Sequence, residues 1–135
     1  MTVRRLLEPL VMPFVVAWAT ARDLEEMKRC LAGGDAAQTS EDFEVWDLAS
    51  HGCLFAAGHS QLLMRLAEVI ESAWRAQVRG HLKRRNDSWQ RREDYRGDHR
   101  AIVTALRARD ADGAVEAMRA HLGRVEPNLL GATSR

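Results

Sequence analysis

The stretch Phe43-Glu44-Val45-Trp46-Asp47-Leu48-Ala49-Ser50-His51-Gly52-Cys53-Leu54-Phe55 decides how the rest of the chain is read. Phe43, Asp47, His51 and Phe55 recur every fourth residue, so a helix would carry them on one face. The two phenylalanines mark that face as buried, yet a carboxylate and an imidazole lie between them. Thr39 or Ser40 can cap such a helix, which would reach to about Gly58. Burying Asp47 and His51 costs free energy unless both find partners. The stretch therefore predicts a core helix with polar chemistry inside it.

Helical periodicity continues on both sides of this segment. Upstream, a first helix is predicted from about Arg4 to Ala19, with Leu7, Leu10, Val11, Phe14, Val15 and Trp18 inward. Pro9 suits a first turn, and Pro13 should kink the helix. Thr20-Ala21-Arg22-Asp23 resembles a capping box and opens a second helix carrying Leu24, Met27 and Leu31. Gly33-Gly34 should end it, with a polar loop from Asp35 to Ser40. Downstream, a fourth helix spans about Gln61 to Leu82, with Leu62, Leu66, Val69, Ile70, Ala73 and Val78 inward. Lys83 to Ser88 reads as a charged loop, and a fifth helix covers Trp89 to Ala108. Asp110 can cap a sixth, expected to end near Glu126 because Pro127 follows. No segment alternates apolar and polar residues as a strand would. The fold class is all-α, a bundle of about six helices with short loops.

Composition bounds the function. The chain has 135 residues, 46% of them hydrophobic, enough for one domain with its own core. Lys plus Arg is 20 against 19 for Asp plus Glu, a balance unlike that of a dedicated nucleic-acid or membrane-surface binder. The basic cluster Lys83, Arg84, Arg85, Arg91 and Arg92 around Trp89 is interleaved with Asp87, Glu93 and Asp94, so it reads as a solvated loop. No apolar run approaches the ~18 residues needed to cross a bilayer. The apolar N-terminus contains Glu8 and two prolines and does not read as a signal peptide. These features predict a soluble, cytoplasmic chain with no membrane partner. Cys30 and Cys53 are the only cysteines and form neither a disulfide framework nor a Cys-x-x-Cys pair; both read as reduced, buried small side chains.

Two further helices repeat the anomaly of the third. His99 shares its stripe with Ile102, Val103 and Leu106, and His121 shares its own with Ala114, Met118, Leu122 and Val125. A lone histidine on such a face is ordinarily a core residue with one hydrogen bond. One aspartate and three histidines turned inward from three helices become favourable together around a single divalent metal. Asp47, His51, His99 and His121 are thus the predicted ligands. A nitrogen and oxygen set without thiolate suits zinc first, with nickel, manganese and iron also compatible, rather than calcium. Four protein ligands leave an open position on a five- or six-coordinate ion, which would admit water or a small carboxylate.

These residues resemble the FCD-type C-terminal effector-binding domain of FadR-subfamily GntR transcriptional regulators. Arg4-Arg5-Leu6-Leu7-Glu8-Pro9 is similar to that family's first-helix signature, and Thr20-Ala21-Arg22-Asp23-Leu24 to the start of its second helix. Phe43-x3-Asp47-x3-His51 matches the third-helix motif. His99-Arg100-Ala101-Ile102 and Ala114-x2-Ala117-Met118-x2-His121-Leu122 match the fifth and sixth. The resemblance covers essentially all 135 residues. It implies an antiparallel bundle of six to seven helices, a homodimer, and the same four metal ligands beside a small organic-acid effector. It also implies that Arg4 grasps the effector carboxylate, a role in which a guanidinium binds bidentately. Arg75, beside Trp74, is a second effector-binding candidate. Ser50 stands where the family usually has Phe, His59 where it usually has Asn, and Pro13 is unusual in the first helix.

Regulators of this kind read DNA through a winged helix-turn-helix domain that precedes the effector domain. Residues 1–135 contain only the effector-binding and dimerisation part, so DNA would be a partner only through a domain absent from this sequence. A fragment of a longer regulator and a free-standing sensor both fit. The leading expectation is a metal-dependent sensor without enzymatic activity. The alternative is a small helical metallo-enzyme using the open Asp/His3 site, which would also need a general base such as Glu44 or Glu71. A purely structural metal would predict no small-molecule affinity.

Overall fold

The computed structural model describes residues 2–82 and 89–130. Six helices follow one another: α1 (Thr2–Trp18), α2 (Ala21–Ala36), α3 (Ser40–Ala56), α4 (Gln61–Leu82), α5 (Trp89–Arg107) and α6 (Ala111–Leu130). No strand occurs among the described residues. The expected 83–88 loop lies outside them. α6 packs chiefly on α5 and α1, and α2 on α3, while α4 leans mainly on α3. Val11, Met12 and Val15 of α1 meet Leu54 and Phe55 of α3, Ile102 and Leu106 of α5, and Met118 and Leu122 of α6 in one core.

The helix starts follow local chemistry. Thr20 accepts a hydrogen bond from the Asp23 backbone N–H at 3.1 Å, and the Asp23 side chain accepts from the Thr20 N–H at 2.8 Å, a complete capping box. Thr39 caps α3 by accepting from Asp42 N–H at 3.0 Å. Arg109, at φ 58°, donates to the Val16 and Ala19 carbonyls at 2.8 and 2.9 Å, tying off the end of α1.

Several expectations are corrected. Gly33-Gly34 does not end α2, which continues to Ala36. The glycines serve close helix packing instead: a Cβ on Gly33 would fall on the Trp46 ring, and one on Gly34 would lie 3.6 Å from Phe43. Arg96 of α5 then stops the helix, donating to the Gly34 and Ala37 carbonyls at 2.9 Å each. α6 runs past Pro127 to Leu130, and Pro9 and Pro13 both lie within α1, well beyond its first turn. Each proline removes one donor from a helix held mainly by its packing.

The inward faces of α1 and α4 are also revised. Leu10, Phe14 and Trp18 are 63%, 53% and 62% exposed, while charged Arg4 and Glu8 are buried with Val11, Met12 and Val15. On α4, Leu62 and Val69 face solvent and Ala73 is exposed; Leu63, Leu66, Ala67 and Ile70 pack on the core. The side chains of Val78 and Val125 lie outside the described set.

Candidate metal centre

Asp47 and His51 project from successive turns of α3, His99 from the middle of α5 and His121 from α6. All four are buried, with exposures of 7%, 7%, 8% and 1%. One potential ligand atom from each lies within 4.8 Å of the other three. Asp47 Oδ1 sits 2.9 Å from His99 Nε2 and 3.5 Å from His51 Nε2. The His121 ring centroid is 4.7 Å from that of His99 and 5.4 Å from that of His51.

Asp47 Oδ1, His99 Nε2 and His121 Nε2 are buried without an aligned hydrogen bond, although the first two are close together. A buried polar atom left so costs about 1–3 kcal/mol. Three of them converging from three helices fit a metal ion, which takes a lone pair from each. A divalent ion there would supply a Lewis-acidic position for an oxygen ligand.

Two further carboxylates hold the rings in place. Glu8 of α1 contacts His51 Nδ1 at 2.5 Å, and Asp98 of α5 contacts His121 Nδ1 at 3.0 Å. A proton on each Nδ1 would leave Nε2 to face a metal, the arrangement usual around ligating histidines. Arg4 clamps Glu8, with Nε 2.5 Å from Oε2, and rests its Nη2 3.0 Å from His51 Nδ1. Arg124 clamps Asp98 with two hydrogen bonds of 3.0 and 3.1 Å.

The charges follow from this wiring. Burial opposes charge on His51, as does Arg4, but the Glu8 and Asp47 carboxylates together outweigh them and raise the imidazole pKa to about 9. Burial likewise opposes the Glu8 anion, while His51 and Arg4 bring it down to about 2. Asp47, despite burial, is held well below the usual carboxylate range by His51 and His99. For His121 burial dominates the opposing pull of Asp98 and lowers its pKa to about 4. His121 is therefore neutral at pH 7, as a ligand must be.

Two small recesses adjoin the centre. One lies between α1, α3 and α4, lined by Arg4, Glu8, Leu48, His51, Ile70 and Glu71 among others. The other lies between α2, α3 and α5, with Met27, Leu31, Ser50, His51, His99 and Ile102 in its wall. Of the expected site residues, the structure gathers Asp47, His51, His99 and His121 and brings Arg4 to the first recess. Arg75 is not brought to either wall; it is exposed and pairs with Glu71 at 2.7 Å. His59 adopts φ 55°, a conformation Asn tolerates better than most residues, and contacts Asp23 at 2.7 Å.

Sequence reasoning missed the roles of Glu8 and Asp98. The four-residue spacing of Arg4 and Glu8 was an available signal for the first. Asp98 carried none, because its partner lies on another helix.

The sequence model of the FCD domain matches residues 1–124, and the chain belongs to that family. It is similar to the Uxu operon transcriptional regulator of Escherichia coli (strain K12), at 30% identity over 138 residues, covering 94% of this chain and 51% of that protein. The chain thus spans about half the length of that curated relative. Among solved structures, Streptococcus agalactiae GntR superposes with a TM-score of 0.75 at 23% identity, over 92% of this chain and 55% of the other. E. coli McbR/YncC gives 0.83 at 17% identity, over 96% and 61%. The family marks the chain as a ligand-sensing regulatory domain of the GntR type. No described helix is long and apolar enough to cross a membrane.

Proposed function

We propose that this domain senses a small organic acid through a divalent metal, zinc first, held by Asp47, His51, His99 and His121. The observation that carries the reading is the convergence, from three helices, of buried ligand atoms of Asp47, His99 and His121 that lack an aligned hydrogen bond. The effector carboxylate would take an oxygen-ligand position at the ion. Arg4, in the wall of the adjoining recess, would orient it. Occupancy would bias how α1 and α4 pack on α3, and a homodimer would pass that bias to DNA-binding domains elsewhere in a full regulator. The exposed stripe Leu6, Leu10, Phe14 and Trp18 on α1 would serve as the dimer face.

Binding rather than catalysis is favoured by the state of Glu8. Its carboxylate is occupied by Arg4 and His51 and held at about 2, so it is a poor proton acceptor at neutral pH.

The test is metal content by plasma mass spectrometry on purified protein, with His99→Ala and His121→Ala alongside. About one equivalent in the wild type, lost in both variants, is expected. A thermal-shift panel of organic acids, run with and without the metal, then tests sensing. Failure to take up metal after reconstitution overturns the metal reading; turnover of an acid, ester or amide overturns the sensor reading.

A further inference from the structure

The cysteines, 23 residues apart in sequence, meet across the α2–α3 contact. Cys30 Sγ lies 3.6 Å from Cys53 Sγ, and both are free thiols. A disulfide needs about 2.05 Å, so the sulfurs must close by roughly 1.5 Å, a movement within reach of side-chain rotation. Cys30 is 1% exposed, whereas Cys53 is only partly buried, so the pair has an accessible side. Nothing in the metal centre uses either sulfur.

We propose that Cys30 and Cys53 are a peroxide-responsive pair that forms a reversible disulfide, fastening α2 to α3 two residues after His51. The hydrogen bond from Cys53 and the charge of Arg29 bring the Cys30 thiol down to about 7 against the opposing effect of burial, so a thiolate is available at neutral pH. That thiolate attacks one oxygen of hydrogen peroxide entering past Cys53. The O–O bond breaks, a Cys30 sulfenic acid forms, and hydroxide leaves to collect a proton as water. The Cys53 sulfur then attacks the Cys30 sulfur, its S–H proton leaving with the displaced hydroxide as a second water. The two thiols are oxidised by two electrons and one peroxide is reduced to two waters. A dithiol returns the electrons.

The inference is independent of the metal reading, since neither sulfur is among the proposed ligands. The experiment treats the purified, fully reduced chain with one equivalent of hydrogen peroxide. The expected result is loss of two hydrogens in the intact mass, disappearance of both titratable thiols, and a peptide joining residues 30 and 53. Dithiothreitol should reverse all three. A cross-link closing a loop of this length should raise the melting temperature by roughly 10 °C, reversibly. Cys53→Ser should gain oxygen on Cys30 without the stability gain. Three results would overturn the proposal: inert thiols, stepwise oxygen addition in the wild type without a linked peptide, or a linkage found only between two chains.

Discussion

Asp98→Ala tests the wiring of the metal centre more sharply than loss of a ligand does. Asp98 touches no proposed ligand atom; it holds His121 Nδ1 at 3.0 Å while paired to Arg124. Removing it leaves a buried N–H without an acceptor, at a cost of about 1–3 kcal/mol. That cost falls on the metal-free and metal-bound protein alike, so it lowers apo stability but largely cancels from metal affinity. What remains in the affinity is the loss of ring orientation and ligand basicity, a 10–100-fold weakening or about 1.4–2.7 kcal/mol. Chemical denaturation of the apo protein measures the first quantity, and a zinc titration against a chromophoric chelator measures the second. Arg124→Ala, at an exposed side chain, should move both far less. Zinc affinity within twofold of wild type in Asp98→Ala would refute the argument that this carboxylate directs His121 Nε2 at the ion.

Gly97→Ala should stabilise the protein by about 0.5–1 kcal/mol, because nothing lies near the added Cβ, whereas Gly33→Ala should destabilise it by overlapping Trp46; urea midpoints distinguish the two. Thr20→Ala should cost about 1 kcal/mol by the same measurement. Slight burial opposes the Asp23 anion, yet hydrogen bonds from the Thr20 N–H and His59 hold its pKa below the ordinary 3.8. Its contribution is therefore present above about pH 4 and fades as pH falls through the lower folded value, so the melting-temperature gap between wild type and Asp23→Asn should close on acidification. Leu10→Glu combined with Trp18→Glu should yield monomers in sedimentation equilibrium with metal content retained; a persisting dimer would exclude the α1 face as the interface.

The four-residue spacing on α3 and the matching stripes on α5 and α6 made the buried Asp/His cluster legible, because each histidine stood among apolar neighbours that the structure buries. The same logic failed on α1. That helix has two apolar sides, and its charged residues Arg4 and Glu8 turn inward as an ion pair, with Glu8 also taking His51 as a partner. Periodicity alone ranks Leu10 and Phe14 above a charged pair, since it prices side chains singly and not in ion-paired sets. On α4 the same bias chose Leu62 and Val69, although Leu63 and Ala67 make the contact. Gly33-Gly34 misled for a related reason: local conformational freedom suggests a stop, and only the indole of Trp46 reveals the need for a missing side chain.

The buried cluster has a consequence for what can be held beside it. Without an ion, the Arg4 guanidinium and a protonated His51 face the Glu8 and Asp47 carboxylates, so the four groups carry no net charge. A divalent cation held there would displace the His51 proton and leave one positive charge in a place from which water is largely excluded. A guest with one negative charge restores neutrality there, whereas a dianion overshoots and a neutral molecule leaves the excess standing. With a metal bound, the interior would weigh its visitors by valence before shape is consulted, and a hydrogen ion released on metal uptake would be the first sign that the balance had moved.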